Sequence, residues 1–155
     1  MKKSLQIILI STIVSFIFLS ATAQDNGALL KYRQDIMKSN GMAMGIIGSI
    51  LKNKLPFAKQ IESHALVVKM NMLLLEEAYS KKVTTGKTDT KPETWGMWAE
   101  FVMAAKSSSS AADSLAKAAM TGNASDIFPK LKAVGQTCGA CHKQFRQPKG
   151  KRFMR

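Results

Sequence analysis

Apolar residues return every three to four positions through most of this chain, and no run alternates with a period of two for long enough to suggest a sheet. In the first helical stretch Leu30, Met37, Met44 and Leu51 recur every seven residues, Ile36 and Ile47 fill the same stripe, and Pro56 ends it. The second puts Phe57, Ile61, His64, Ala65, Val68, Met72, Leu75 and Tyr79 on one face. Residues 81–91, rich in Thr with Gly86 among them, have no apolar period and read as a loop. Pro92 suits the first turn of a third helix, whose stripe is Trp95, Trp98, Val102, Ala105, Ala112 and Leu115. Ser107 to Ser110 belong to its interior, because the period resumes in phase beyond them. Gly122 and Asn123 read as a stop, Ser125 or Asp126 as the next cap, and Pro129 as a first-turn residue. The fourth stripe is Ile127, Leu131, Val134, Cys138, Cys141, His142 and Phe145, ended by Pro148 and Gly150. Four amphipathic helices with short connections predict an all-α antiparallel four-helix bundle, and no internal repeat is visible.

Residues 1–23 read as a cleaved leader outside this bundle. Lys2 and Lys3 form a basic start, an apolar run extends from Ile7 to Leu19, and Ala21-Thr22-Ala23 supplies the small-x-small cleavage pattern. The run is shorter than the ~20 residues of a spanning helix; an uncleaved anchor is the alternative. The expected plan is a leader at 1–23, a bundle at 24–147 and a basic tail at 148–155. The expected location is the periplasm.

At 155 residues and 17.0 kDa the chain holds one domain. With 46% hydrophobic and 21% charged residues it is neither wholly disordered nor a multi-span membrane protein. A formal net charge of +13 predicts an acidic partner: protein, nucleic acid or anionic lipid. Export argues against nucleic acid.

Cys138-Gly139-Ala140-Cys141-His142 carries the chemistry. Cys-x-x-Cys-His is the attachment signature of c-type haem. On a helix, positions i, i+3 and i+4 share a face. Both thiols can therefore add to haem vinyl groups, while His142 offers a ring nitrogen to the iron. Small residues at 139 and 140 let the backbone approach the porphyrin edge. A thioredoxin-like pair would need a βαβ setting and a zinc site four ligands; a plain disulfide is the third alternative.

A four-helix bundle with this motif near its C-terminus resembles a class II cytochrome c, the cytochrome c′ family. Tyr32-Arg33-Gln34, Pro92-Glu93-x-Trp95 and Cys138-x-x-Cys141-His142-x-x-Phe145-Arg146 match, so the resemblance spans roughly residues 28–147. It implies one covalently attached haem c with its iron, and no catalytic residues of an enzyme. It also implies that Met37, five residues after the tyrosine, is the sixth iron ligand of a low-spin subgroup. The resulting His142/Met37 protein would be a one-electron carrier. Read from the residues alone, a methionine in phase with Leu30, Met44 and Leu51 is usually core filler, and His64 is a rival ligand or an ordinary core histidine. The alternatives are a five-coordinate, gas-binding cytochrome c′ and a haem-free metal-binding or interaction bundle.

By the same resemblance Arg33 and Gln34 meet the haem propionates, Trp95 packs near the haem, and Arg146 flanks the proximal pocket or is surface charge. Lys149, Lys151, Arg152 and Arg155 follow as a basic tail suited to an acidic redox partner or an anionic membrane surface. Members often dimerise through the first two helices, which the off-stripe residues Leu66, Val67, Leu73 and Leu74 would permit.

Overall fold

The computed structural model describes residues 2–148, with side chains from residue 26 onward. The leader at 1–23 and tail residues 149–155 thus lie outside the fully described residues. Among the described residues five α-helices occur: α1 (Lys2–Lys52), α2 (Ile61–Leu73), α3 (Leu75–Ala78), α4 (Trp98–Ala119) and α5 (Ala124–Phe145). Among the described residues there is no strand, and the only pairing of extended backbone is the isolated bridge Thr90–Arg146. α3 continues the line of α2 after a break at Leu74, so the architecture is a four-helix bundle.

α1 ends four residues before Pro56, in a Schellman-type turn. Leu55 N–H donates to Ile50 O at 3.0 Å, and Lys54 N–H to Leu51 O at 3.3 Å. Lys54 occupies the left-handed position of that turn at φ 50°, where glycine is usual. Phe57, expected on the core face, is exposed because a 3₁₀ turn at Ala58–Gln60 intervenes before α2 begins.

The third helix is also split. Pro92 opens a 3₁₀ turn, Pro92–Trp95, and α4 proper begins only after Gly96 and Met97. Ser107–Ser110 are helical, as their phase predicts. Ser108 Oγ donates to Ala104 O, and Ser109 Oγ crosses to Lys69 O of α2 at 3.2 Å. The cap of α5 is Asn123 rather than Ser125 or Asp126. Asp126 instead accepts from Asn123 Nδ2 and Thr121 Oγ1, reaching back from the third helical position. Pro129 is consequently in the helix interior, not its first turn.

Ile47, Ile61, Val68, Leu115, Ile127 and Val134 are fully buried and draw one core from all four rods. α1 packs along α2, α2 along α4 and α4 along α5, whereas α1 and α5 share no comparable seam. The bundle is open along that fourth edge.

Candidate functional site

The opening between α1 and α5 is a cavity of about 600 Å³, within the ~300–1,000 Å³ usual for ligand and cofactor sites. Met37, Asn40, Gly41 and Met44 line it from α1, and Met72, Leu75 and Tyr79 from the second rod. Phe101 and Ser108 line it from α4, and Cys138, Cys141, His142, Phe145 and Arg146 from α5. Thr88, Asp89 and Thr90 contribute from the loop. Helical phase turns the two thiols and the imidazole into one space. Both cysteines are free thiols. Burial pushes both upward: the Cys141 thiol, with Cys138 as its neighbour, reaches about 11.

The expected site residues separate into those that line the cavity and those that do not. Met37, Arg33, Gln34, Cys138, Cys141, His142 and Arg146 all line it. His64 does not; it lies with Asp35, Lys38 and Val67 in a shallow groove on the outer face of α1 and α2. That placement removes it as a rival to Met37. Trp95 is absent from the lining too. Its indole N–H donates to Tyr79 O at 2.8 Å, and its ring lies 5.7 Å from the Arg33 guanidinium carbon. It backs Arg33 rather than facing the cavity.

Arg33 is 2% exposed. Its Nε donates to Ala78 O at 2.7 Å and its Nη2 to Lys81 O at 2.5 Å, pinning the end of the second rod to α1. Burial lowers the basicity of the guanidinium, and it raises the Tyr79 phenol beside it. Nη1 is buried without a protein partner. Gln34 Nε2 donates to Lys87 O at 2.6 Å.

The loop closes over the cavity onto the end of α5. Lys91 N–H donates to Phe145 O at 2.9 Å and Gln147 N–H to Asp89 O at 2.7 Å. Lys91 Nζ caps the Lys143 and Gln144 carbonyls, and Arg146 pairs with Asp89 at 3.5 Å. Gly86 makes the turn possible: it adopts φ 85°, and a Cβ there would stand 3.1 Å from Leu30 Cδ1.

These residues fit haem c. Two free thiols and an imidazole share one wall, much of the lining is apolar, and the orphaned Arg33 Nη1 suits an acceptor such as a propionate. Cys138 and Cys141 would carry the thioethers and His142 the iron. Asn40, Ser108 and residues 88–90 were not expected here. Asn40 shares the phase of Met37 and was findable; the loop has no period to read.

Residues 28–146 match the family described as Cytochrome C′. A cytochrome c′ from Rhodospirillum rubrum is 36% identical over 127 residues, covering 81% of this chain and 86% of that protein. A cytochrome c-556 from Agrobacterium tumefaciens is 27% identical, covering 76% and 95%. Among solved structures, a nitric oxide complex of a cytochrome c prime variant from Alcaligenes xylosoxidans superimposes with a TM-score of 0.71. It is 26% identical and covers 80% of this chain and 97% of that one. The match runs from the first lining residues of α1 to Arg146, and with it the chain belongs to the cytochrome c′ family, whose members hold haem c covalently.

Proposed function

We propose that the protein is an exported haem protein that binds a small diatomic gas on the α1 side of the haem, with His142 holding the iron from α5. This replaces the expectation of a filled His142/Met37 coordination sphere as the favoured reading. The carrying observation is the α1 wall. Met37, Gly41 and Met44 present apolar, unbranched or absent side chains, and a Cβ added at Gly41 would meet nothing within 4 Å. The similar solved structures support it: variants of the Alcaligenes xylosoxidans protein are described with nitric oxide and with carbon monoxide bound. When bound, the haem supplies a redox-active iron able to take a gas ligand or an electron. Arg33 anchors the haem's acidic edge, and Tyr79, Phe101 and Phe145 keep water from its face.

A second reading, the one-electron carrier with Met37 as sixth ligand, is favoured by the half-buried position of Met37 in the lining. Absorption spectra of both oxidation states, with and without carbon monoxide, decide between them. High-spin ferric haem and rapid carbon monoxide uptake after reduction support gas binding. A sulfur–iron charge-transfer band and slow uptake support the carrier.

Export rests on the leader pattern of residues 1–23. An acidic redox partner is supported by the net charge of +11 that remains without Lys2 and Lys3 of the leader, and by Lys81, Lys82, Lys87 and Lys91 in the loop beside the cavity. If deleting residues 148–155 leaves the salt dependence of electron transfer unchanged, the tail has no part in docking. Exposed Met42, Ile46, Leu66 and Val67 on α1 and α2 support a homodimer through that face, checked by analytical ultracentrifugation.

A further inference from the structure

Asn40 is the anomaly of the cavity. It is 7% exposed, lies one helical turn beyond Met37, and lines the cavity next to Gly41. Its Oδ1 accepts from Asn71 Nδ2 at 2.9 Å, and Asn71 Nδ2 also donates to Ser39 Oγ at 2.9 Å. Turning the Asn40 amide over alone would set two NH₂ groups against each other, so its orientation is coupled to that of Asn71. Its Nδ2 is then left buried with no partner. A buried donor without an acceptor is costly to retain. Met37 and Met44, the apolar α1 side chains of this wall, offer no competing donor, and the donors Gln34 and Lys38 stand at exposed positions of α1.

We propose that Asn40 Nδ2 is the hydrogen-bond donor to the small dipolar ligand taken up on the α1 side, so that Asn40 determines which gas is held and for how long. The inference rests on the gas-binding reading above. A donor there stabilises charge building up on the outer atom of the ligand, and favours ligands that accumulate such charge. Asn71 is a positioning residue that holds the amide in that orientation.

The probe is carbon monoxide added to the reduced holoprotein, read by its C–O stretching band and its dissociation rate. Asn40→Leu is expected to move the band to higher frequency and to speed dissociation about fivefold, the equivalent of one ordinary hydrogen bond. Asn71→Leu keeps the donor but frees its amide to turn, and is expected to shift the band in the same direction but less than Asn40→Leu does. An unchanged band in Asn40→Leu, or an equal shift in both variants, overturns the proposal and leaves gas binding intact. Failure of the wild-type protein to take up carbon monoxide overturns both. Where Asn40→Leu yields no holoprotein, Asn40→Ala removes the same donor by truncation and is judged by the same band.

Discussion

The guanidinium carbon of Arg33 lies 4.6 Å from the centre of the Tyr79 ring. This contact joins the first helix to the end of the second rod at the rim of the cavity. The planar cation offers its edge to the Ala78 and Lys81 carbonyls and its face to the phenol.

Arg33→Ala removes both carbonyl bonds and the stacking. Bonds from a charged donor contribute about 1.5–3 kcal/mol each. The variant should lose about 3–5 kcal/mol in urea unfolding. Gln34→Ala, which breaks one exposed bond, should lose less than about 1 kcal/mol.

Replacing Lys54 by glycine should do the opposite. The left-handed conformation costs a side-chain-bearing residue about 1–2 kcal/mol, and part of that gain returns as chain entropy in the unfolded state. Lys54→Gly should therefore stabilise by about 0.5–1 kcal/mol, seen as a raised urea midpoint at unchanged m-value.

Asp113 accepts from Lys117 at 2.8 Å and Lys69 at 2.7 Å, and these bonds hold its carboxyl at about 2. An unfolded aspartate titrates near ~3.9. The folded value is the lower one, so this contribution is full above about pH 4 and fades as pH falls toward 2. Asp113→Asn should flatten that part of the acid limb and leave its slope elsewhere intact. Urea midpoints across pH 2–6 give the comparison.

Cys138→Ala and Cys141→Ala should each reduce covalent haem, and the double variant should abolish it. A haem stain after denaturing electrophoresis reads this directly. Equal staining in the double variant would remove the thioether assignment.

Met37→Ala should leave the ferric iron high-spin and quicken carbon monoxide association by thinning the α1 wall. Conversion from low-spin to high-spin in this variant would identify Met37 as a ligand.

The rods and their inward faces were legible because helical period is local: Ile47, Val68 and Leu115 announce their burial through neighbours three and four residues away. The thiols and His142 were legible for the same reason. The ends were less so. Asp126 looks like a cap in isolation and is displaced because Asn123 and Thr121 both reach it. Arg33 was expected to spend its charge on a cofactor. It spends most of it on Ala78 and Lys81, partners 45 and 48 residues away that no local pattern connects to it. Trp95 stands behind the lining residue Arg33, and an indole reads alike whether it faces a cavity or backs an arginine.

The open edge between α1 and α5 bears on the order of assembly. A ribosome releases the thiol-bearing rod after the chain forming the opposite wall. In the bundle the loop straps the first and last rods, Gln34 reaching Lys87 O from α1 and Lys91 reaching the Lys143 and Gln144 carbonyls of α5, and a haem held by Cys138, Cys141 and His142 would add a second tie. The pigment thus acts as a keystone: stripping it should loosen these two rods first, while the α2–α4 pair, tied by Lys69–Asp113 and Ser109–Lys69, keeps its amide protons longest.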